Sequence, residues 1–189
     1  MLDAVLKQKS VAVKMSVKTT VAAVLVILAV VLPQIVHVAG GAAAGAKWLP
    51  MYAPVLLAGC LLGWRWGFAV GVLSPIISFG FTSLALDATM PALARLPYMT
   101  AELALFGLIS GLFAVYVRKH PIAAFVAVVC AQIAGRSLYV VYNLIIGAPL
   151  SQILNGLQTG LVGLCVQATL VPLISIAIAK AVVSDERKG

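Results

Sequence analysis

The chain is built from long apolar runs separated by short polar breaks. An apolar run of about 20 residues is long enough to cross the hydrocarbon core of a bilayer as a helix. Runs of this kind occupy residues 18–38, 49–64, 67–86, 97–117, 121–146 and 153–180. The pattern therefore predicts an all-α integral membrane protein, with six transmembrane helices in a single transmembrane domain.

The fifth apolar run carries a polar stripe. Gln132, Arg136, Tyr139 and Asn143 follow one another at spacings of four, three and four residues. These spacings place all four side chains on one face of a helix. An arginine is expensive in lipid, so it normally faces the interior of a bundle and marks a binding site or a pathway. The stripe therefore predicts a site for a polar ligand inside the bundle.

Composition agrees with a membrane protein and argues against several other classes. The chain is 63% hydrophobic and only 10% charged, which is too apolar for a soluble domain of this size. Its three cysteines have unrelated spacings, so neither a metal site nor a disulfide framework is expected. The chain contains no HExxH motif, and neither a Ser/His/Asp set nor a paired-carboxylate site can be assembled. We therefore expect no enzyme and no cofactor.

The glycine-rich segment 40–48 resembles a phosphate-binding loop but lacks its chemistry. That motif needs lysine and then a hydroxyl residue directly after its second glycine. Ala46 stands at the lysine position, and Trp48 follows Lys47. The segment is therefore interpreted as a flexible loop between the first two spans, and no ATP site is expected in this chain.

The distribution of the basic residues predicts the orientation. The net charge is +8, but the basic residues are not clustered with aromatic residues, so no nucleic-acid partner is expected. One side of the membrane would hold only Lys47 and Arg95. The other side would hold ten basic residues: Lys7, Lys9, Lys14, Lys18, Arg65, Arg118, Lys119, Lys180, Arg187 and Lys188. The positive-inside rule then places both termini in the cytoplasm, with residues 1–17 and 181–189 as cytoplasmic segments of a plasma-membrane protein.

This orientation gives each polar side chain a depth in the membrane. Polar residues from five spans converge on the outer half, whereas the inner half is nearly devoid of them apart from Gln167. A pocket open to the exterior fits this asymmetry better than a channel or a secondary carrier, which would need polar lining throughout. The predicted ligand contacts are His37, Met51, Tyr52, Glu102, Gln132, Arg136, Tyr139, Asn143, Asn155 and Gln158.

Two features have a structural interpretation beside the functional one. Glycines recur every four residues from Gly59 to Gly71, and residues 107–111 and 156–160 each form a GxxxG pair. Small residues at this spacing favour close helix packing in lipid. Glu102 and Arg136 could form a buried ion pair that is only structural. Alternatively, Arg136 meets a ligand carboxylate or phosphate while Glu102 takes a ligand hydroxyl or amine.

Three sequence blocks carry a resemblance to a known family. The first runs from Leu49-Pro50-Met51-Tyr52 to Gly59, Gly63 and Gly67. The second contains Glu102-Leu103, Phe106-Gly107-Leu108 and Ser110-Gly111. The third contains Gly135-Arg136, Tyr139 and Asn143. Over residues 19–180 the chain resembles the S-components of energy-coupling factor (ECF) vitamin transporters, which are their substrate-binding membrane subunits.

The resemblance implies a function and partners. Such a subunit captures a vitamin from the outside with high affinity and delivers it to a transmembrane coupling subunit that carries two ATPases. The family's docking face, an Ala-x-x-x-Ala pattern on the first span, corresponds here to Thr19 and Ala23. Pantothenate, a pyridoxine relative and a cobalamin precursor all remain open as ligands. The alternative function is a non-transport membrane scaffold or assembly subunit with a structural Glu102–Arg136 pair.

Overall fold

The computed structural model describes residues 2–85, 91–117 and 119–186, and these residues contain helices and no β-strand. Leu93–Arg95 form a short 3-10 helix before α4. The α-helices are α1 (Leu2–Trp48), α2 (Tyr52–Leu62), α3 (Trp64–Ala85), α4 (Leu96–Leu112), α5 (Ala114–Val117), α6 (Pro121–Ile145) and α7 (Leu150–Glu186). The predicted all-α class is therefore confirmed.

Helix boundaries follow the prolines and the glycines with positive φ. Pro121 is the first residue of α6, where a helix needs no backbone donor from it. Gly63 ends α2 with φ 98°, and Gly147 has φ 71° in the turn after α6. These left-handed conformations are easy for glycine, which has no Cβ. The chain can therefore reverse direction within a few residues at both points.

By length and composition, five helical segments of the described residues could cross a membrane. They are Met15–Gly41, Ala43–Leu62, Trp64–Leu84, Pro121–Ile145 and Leu150–Lys180. The predicted span at 97–117 is divided at Phe113 into the 17-residue α4 and the four-residue α5. Five of the six predicted spans thus have a sufficiently long apolar counterpart in the structure.

The segment between the first two spans is not the flexible loop that its glycines suggested. α1 breaks at Gly41 (φ 70°, ψ −174°), but residues 43–48 are again helical. Leu49 then takes a left-handed φ of 47°, and α2 begins at Tyr52. We call residues 43–51 the α1–α2 segment. Backbone hydrogen bonding within this segment outweighs the low helix propensity of its glycine.

A side chain of α7 fastens this segment to the bundle. Gln167 Nε2 donates hydrogen bonds to the carbonyl oxygens of Trp48 (3.2 Å) and Leu49 (2.9 Å). Gly163, one turn earlier on α7, lies against the same backbone, since a Cβ there would come within 2.6 Å of the Trp48 carbonyl oxygen. The α1–α2 segment is therefore held by direct backbone contact with α7.

Glycines bring α2, α3 and α4 into backbone contact. A Cβ on Gly107 of α4 would overlap the backbone of Gly67 on α3, and a Cβ on Gly71 would overlap that of Leu103. A Cβ on Gly59 of α2 would overlap the Ser110 side-chain oxygen and come within 2.7 Å of the Gly107 carbonyl oxygen, and one on Gly111 would overlap the Trp64 backbone. We call these contacts the glycine seam. They show why the four-residue glycine spacing is present, since larger residues would hold the helices apart.

The outer surface of the bundle is apolar. Ile27 is 60% exposed, Ile122 74% and Leu84 89%, and many other large aliphatic side chains are exposed around the bundle. A surface with this much exposed aliphatic area suits lipid rather than water. The protein is accordingly a multi-pass membrane protein.

Candidate substrate-binding site

A cavity of about 760 Å³ lies between the shorter helix α2 and the five long helices α1, α3, α4, α6 and α7. It is lined by the C-terminal parts of α1, α3 and α6, the N-terminal parts of α2, α4 and α7, and the α1–α2 segment. Because antiparallel neighbours alternate in direction, these parts all lie at one end of the bundle. Its volume falls in the range of small-molecule sites, roughly 300–1,000 Å³. We call it the polar cavity.

A buried ion pair lines this cavity. Glu102 of α4 is 1% exposed, and its Oε1 lies 3.4 Å from Nε of Arg136 on α6, whose side chain is 14% exposed. The hydroxyl of Tyr52, at the start of α2, donates a 2.7 Å hydrogen bond to Glu102 Oε2. Three helices therefore fix one carboxylate, and burial without these partners would cost several kcal/mol.

The ion pair leaves hydrogen-bonding capacity unused. Glu102 Oε1 and the Nε and Nη2 atoms of Arg136 are buried, yet none of them has a hydrogen-bond partner. Oε1 and Nε are close enough to attract each other as charges but are not aligned as donor and acceptor. Buried polar atoms are nearly always paired, so unpaired ones beside a cavity are a functional signal.

Aromatic rings flank the Arg136 guanidinium and line the cavity. The Arg136 guanidinium carbon lies 5.4 Å from the Tyr52 ring centroid and 5.7 Å from that of Tyr139, distances that allow cation–π attraction. Tyr98 packs against Tyr139 and Tyr142 with centroid distances of 5.9 and 5.2 Å. The cavity thus combines a charged pair with an aromatic wall whose rings are inclined to one another.

Eight of the ten predicted ligand contacts line this cavity. They are His37, Met51, Tyr52, Glu102, Arg136, Tyr139, Asn143 and Asn155. Several of them also have partners within the protein besides the Glu102–Arg136 pair. His37 Nδ1 lies 2.7 Å from the Pro33 carbonyl oxygen, Asn143 Nδ2 donates to the Tyr139 carbonyl at 2.8 Å, and Tyr52 is bonded to Glu102.

Two predicted contacts lie elsewhere. Gln132 is buried, and its Nε2 donates a 2.9 Å hydrogen bond to the Leu164 carbonyl, so it links α6 to α7 outside the cavity lining. Gln158 is exposed on α7 and also lies outside the lining. Helical periodicity had placed Gln132 on the Arg136 face, but that face extends beyond the cavity toward the other end of the bundle.

Several lining residues were not among the predicted contacts. Arg95 directly precedes α4, and Tyr98 lies in its first turn. Tyr142 lies beside the polar stripe on α6, and Gln152 lies in the first turn of α7. Ser78 brings α3 into the site. A signal for α3 was present, because Ser74, Ser78 and Thr82 repeat every four residues and all are buried. Each small hydroxyl is easily interpreted as packing, which is why the pattern was missed.

The predicted docking residues lie away from the cavity. Thr19 and Ala23 are exposed on α1, and the Thr19 hydroxyl donates to the Met15 carbonyl of its own helix. Ile27, the next residue on this face, is also exposed. The face is therefore accessible, and its role in docking remains a prediction.

Comparison with known proteins identifies the family. No curated protein and no solved structure matches the chain. The model of the family described as "ECF transporter, substrate-specific component" matches residues 17–184. That match covers nearly the whole chain and includes every helix that lines the polar cavity. The chain therefore belongs to the substrate-specific components of ECF transporters.

Proposed function

We propose that this S-component binds a small vitamin-type molecule in the polar cavity from the extracellular side, with high affinity, for ATP-driven uptake. The observation that carries the proposal is the Glu102–Arg136 pair, which is buried beside a cavity with three polar atoms unpaired. A ligand that satisfies these atoms gains hydrogen bonds to charged groups, and such bonds are stronger than neutral ones.

The eight lining residues from the sequence prediction are proposed as the binding set. Tyr52, Glu102 and Arg136 contact the polar part of the ligand, and Tyr139 flanks it. His37, Met51, Asn143 and Asn155 complete the walls. Pantothenate, a pyridoxine relative and a cobalamin precursor are the starting candidates. Aromatic walls with a few convergent polar groups are typical of small-molecule sites.

The proposed topology has six crossings with both termini in the cytoplasm. α4 and α5 together would make the sixth crossing, since at a rise of about 1.5 Å per residue α4 alone spans roughly 26 Å. The polar cavity then lies at the extracellular end, and the excess of basic residues lies on the cytoplasmic side.

Delivery requires partners that this chain does not contain. Family membership supports a transmembrane coupling subunit with two ATPase subunits as those partners. The exposed face of α1 around Thr19 and Ala23 is the proposed docking surface, because small residues allow close helix approach. The scaffold alternative, in which the ion pair is only structural, is not favoured by membership in a transporter family.

Binding is tested directly on the purified protein. Mass spectrometry of released small molecules and a thermal-shift panel of B-vitamins should identify one ligand. Arg136→Gln should weaken its binding about ten- to a hundredfold, since a hydrogen bond to a charged group is worth about 1.5–3 kcal/mol. Arg65→Gln removes an exposed arginine outside the cavity and serves as the matched control. If no compound binds and none co-purifies, the proposal is wrong.

Docking is tested separately from binding. Ala23→Trp should abolish uptake in cells that express the coupling module while leaving ligand affinity unchanged, because the bulky ring lies on the docking face only. Val38→Trp is the control, since Val38 is 90% exposed at the opposite end of the same described helix. Equal uptake by the two variants would exclude this face as the docking surface.

A further inference from the structure

The charge balance of the polar cavity restricts what it can bind, provided that it is the binding site proposed above. Glu102 and Arg136 carry opposite charges only 3.4 Å apart, so their fields largely cancel at the ligand. Arg95 also lines the cavity, but it is exposed and screened by solvent. An anion would meet the Glu102 carboxylate, and a cation would meet the Arg136 guanidinium. A ligand group without net charge avoids both penalties.

The unpaired atoms specify complementary hydrogen-bonding groups. Glu102 has one free acceptor, Oε1, because Oε2 already accepts the Tyr52 hydroxyl. Arg136 has two free donors, Nε and Nη2, which point the same way in the planar guanidinium. One ligand N–H can satisfy the first, and one adjacent carbonyl oxygen can accept from the other two. The donor and the acceptor must lie on the same edge of the ligand, because the protein atoms are neighbours.

The protein holds this arrangement rigidly. The guanidinium is flanked by the rings of Tyr52 and Tyr139, and Glu102 is fixed by Tyr52. The rings of Tyr98 and Tyr142, inclined to each other by 39°, add aromatic surface to the cavity. A planar ring that carries the donor–acceptor edge can pack against one of these rings in an offset-stacked or edge-to-face arrangement.

We infer that the ligand is an uncharged planar ring compound whose edge places an N–H donor beside a carbonyl acceptor. Its N–H donates to Glu102 Oε1, and its carbonyl oxygen accepts from Arg136 Nε and Nη2. Lactams, imides, ureides and primary carboxamides carry such an edge. Pantothenate does not, since it is an anion and its amide directs donor and acceptor to opposite sides. Pyridoxine also lacks the edge.

The inference is tested with matched probes on the purified protein. Riboflavin and nicotinamide carry the edge without net charge. 3-Methylriboflavin and N,N-dimethylnicotinamide keep the rings but lack the donor. Nicotinate and pantothenate represent anions, pyridoxine a neutral ring without the edge, and L-tryptophan a zwitterion. Calorimetry and thermal shift should rank an edge compound first, and methylation should weaken its binding at least tenfold.

Charge variants test whether Glu102 and Arg136 recognise the donor–acceptor edge. Glu102→Gln leaves the Arg136 charge uncompensated, so the affinity for nicotinate should rise at least tenfold relative to the affinity for nicotinamide. The double variant Glu102→Gln/Arg136→Gln restores neutrality, and its two amides can still accept and donate. It should therefore restore the preference for nicotinamide over nicotinate, even if both bind weakly. Arg65→Gln, outside the cavity, should leave the ranking unchanged, and each variant is first checked for folding by its size-exclusion profile.

The outcomes separate the two proposals. Tightest binding of pantothenate, pyridoxine or tryptophan would overturn the inference while leaving a vitamin-binding S-component intact. The same holds if methylation of the edge changes nothing, or if Glu102→Gln leaves the nicotinate-to-nicotinamide ratio unchanged. If every probe fails and no small molecule co-purifies, both the inference and the proposed function fail.

Discussion

The glycine seam and the polar cavity are built on two faces of the same helix, α4. On one face, Leu103 and Gly107 meet the backbone of α3 so closely that a Cβ on the facing glycine, Gly71 or Gly67, would overlap. On the other face, Tyr98 and Glu102 line the cavity. The first face packs backbone against backbone, and the second presents polar atoms that have no hydrogen-bond partner. The close packing of the first face therefore fixes the position of the face that lines the cavity.

This difference explains why a buried carboxylate is tolerated. A charged group in the interior needs partners at fixed positions, because displacement of a partner leaves the free-energy cost of its desolvation uncompensated. α4 cannot slide against α3 without driving backbone into backbone at Gly67 and Gly107. Glu102 is therefore held where Tyr52 and Arg136 reach it. The seam supplies positional accuracy, and the proposed recognition of a ligand by the cavity depends on it.

The largest effect is expected where the Glu102–Arg136 pair loses one of its two charges. Arg136→Leu leaves Glu102 buried without its counter-ion, so the free energy of unfolding should fall by about 3–5 kcal/mol. Denaturant titration of the detergent-solubilised protein measures the loss.

The double variant Glu102→Leu/Arg136→Leu is the decisive control for the ion pair. Because it removes both charges, it should regain most of the lost stability, yet ligand binding should be absent in both variants. Regained stability with normal ligand affinity would show that the pair is only structural.

The seam should be nearly as sensitive, but for a steric reason. Gly107→Val directs a branched side chain into the Gly67 backbone, where no flexible group can move aside. Overpacking usually costs about 1–3 kcal/mol, and backbone overlap places this change at or above the upper limit. Fluorescence-detected size exclusion and thermal melting measure the loss of folded protein.

Gly80→Ala provides the matched control on α3. A Cβ there would have no heavy atom within 4 Å, so the variant should fold like the parent protein. If Gly107→Val melts at the temperature of Gly80→Ala, the close approach of α3 and α4 does not stabilise the bundle.

Sequence patterns predicted what is periodic and missed what depends on irregular backbone. Arg136 and Asn143 were predicted from the polar stripe on an apolar helix, and both line the cavity, whereas Gln132 of the same stripe does not. The helical residues 43–48 were missed, because the glycines of the segment were given more weight than its alanines, which favour a helix. Gln167 was seen only as an isolated polar residue. Its partners are main-chain carbonyls 119 and 118 residues away, and a sequence does not display such contacts.

The role of Gln167 gives a prediction that joins the two regions. Gln167→Leu removes both hydrogen bonds to the α1–α2 segment, whose Leu49, Pro50 and Met51 line the cavity. Stability should fall by about 1–3 kcal/mol, since two part-buried carbonyl groups lose a donor. Ligand dissociation should also become faster, because that wall is no longer fastened to α7. Stopped-flow dissociation measurements test this, and an unchanged rate would mean that the segment is held by packing alone.

The smallest effect separates Gln132 and Gln158, the two predicted ligand contacts that lie outside the cavity lining. Gln132→Leu removes one hydrogen bond between α6 and α7, so stability should fall by about 1 kcal/mol. Gln158→Leu changes an exposed position, and its effect should stay within about 0.5 kcal/mol. Neither side chain lines the cavity, so ligand affinity measured by calorimetry should be unchanged in both. Weaker binding in Gln132→Leu alone would mean that the site extends along the polar face of α6 beyond the ion pair.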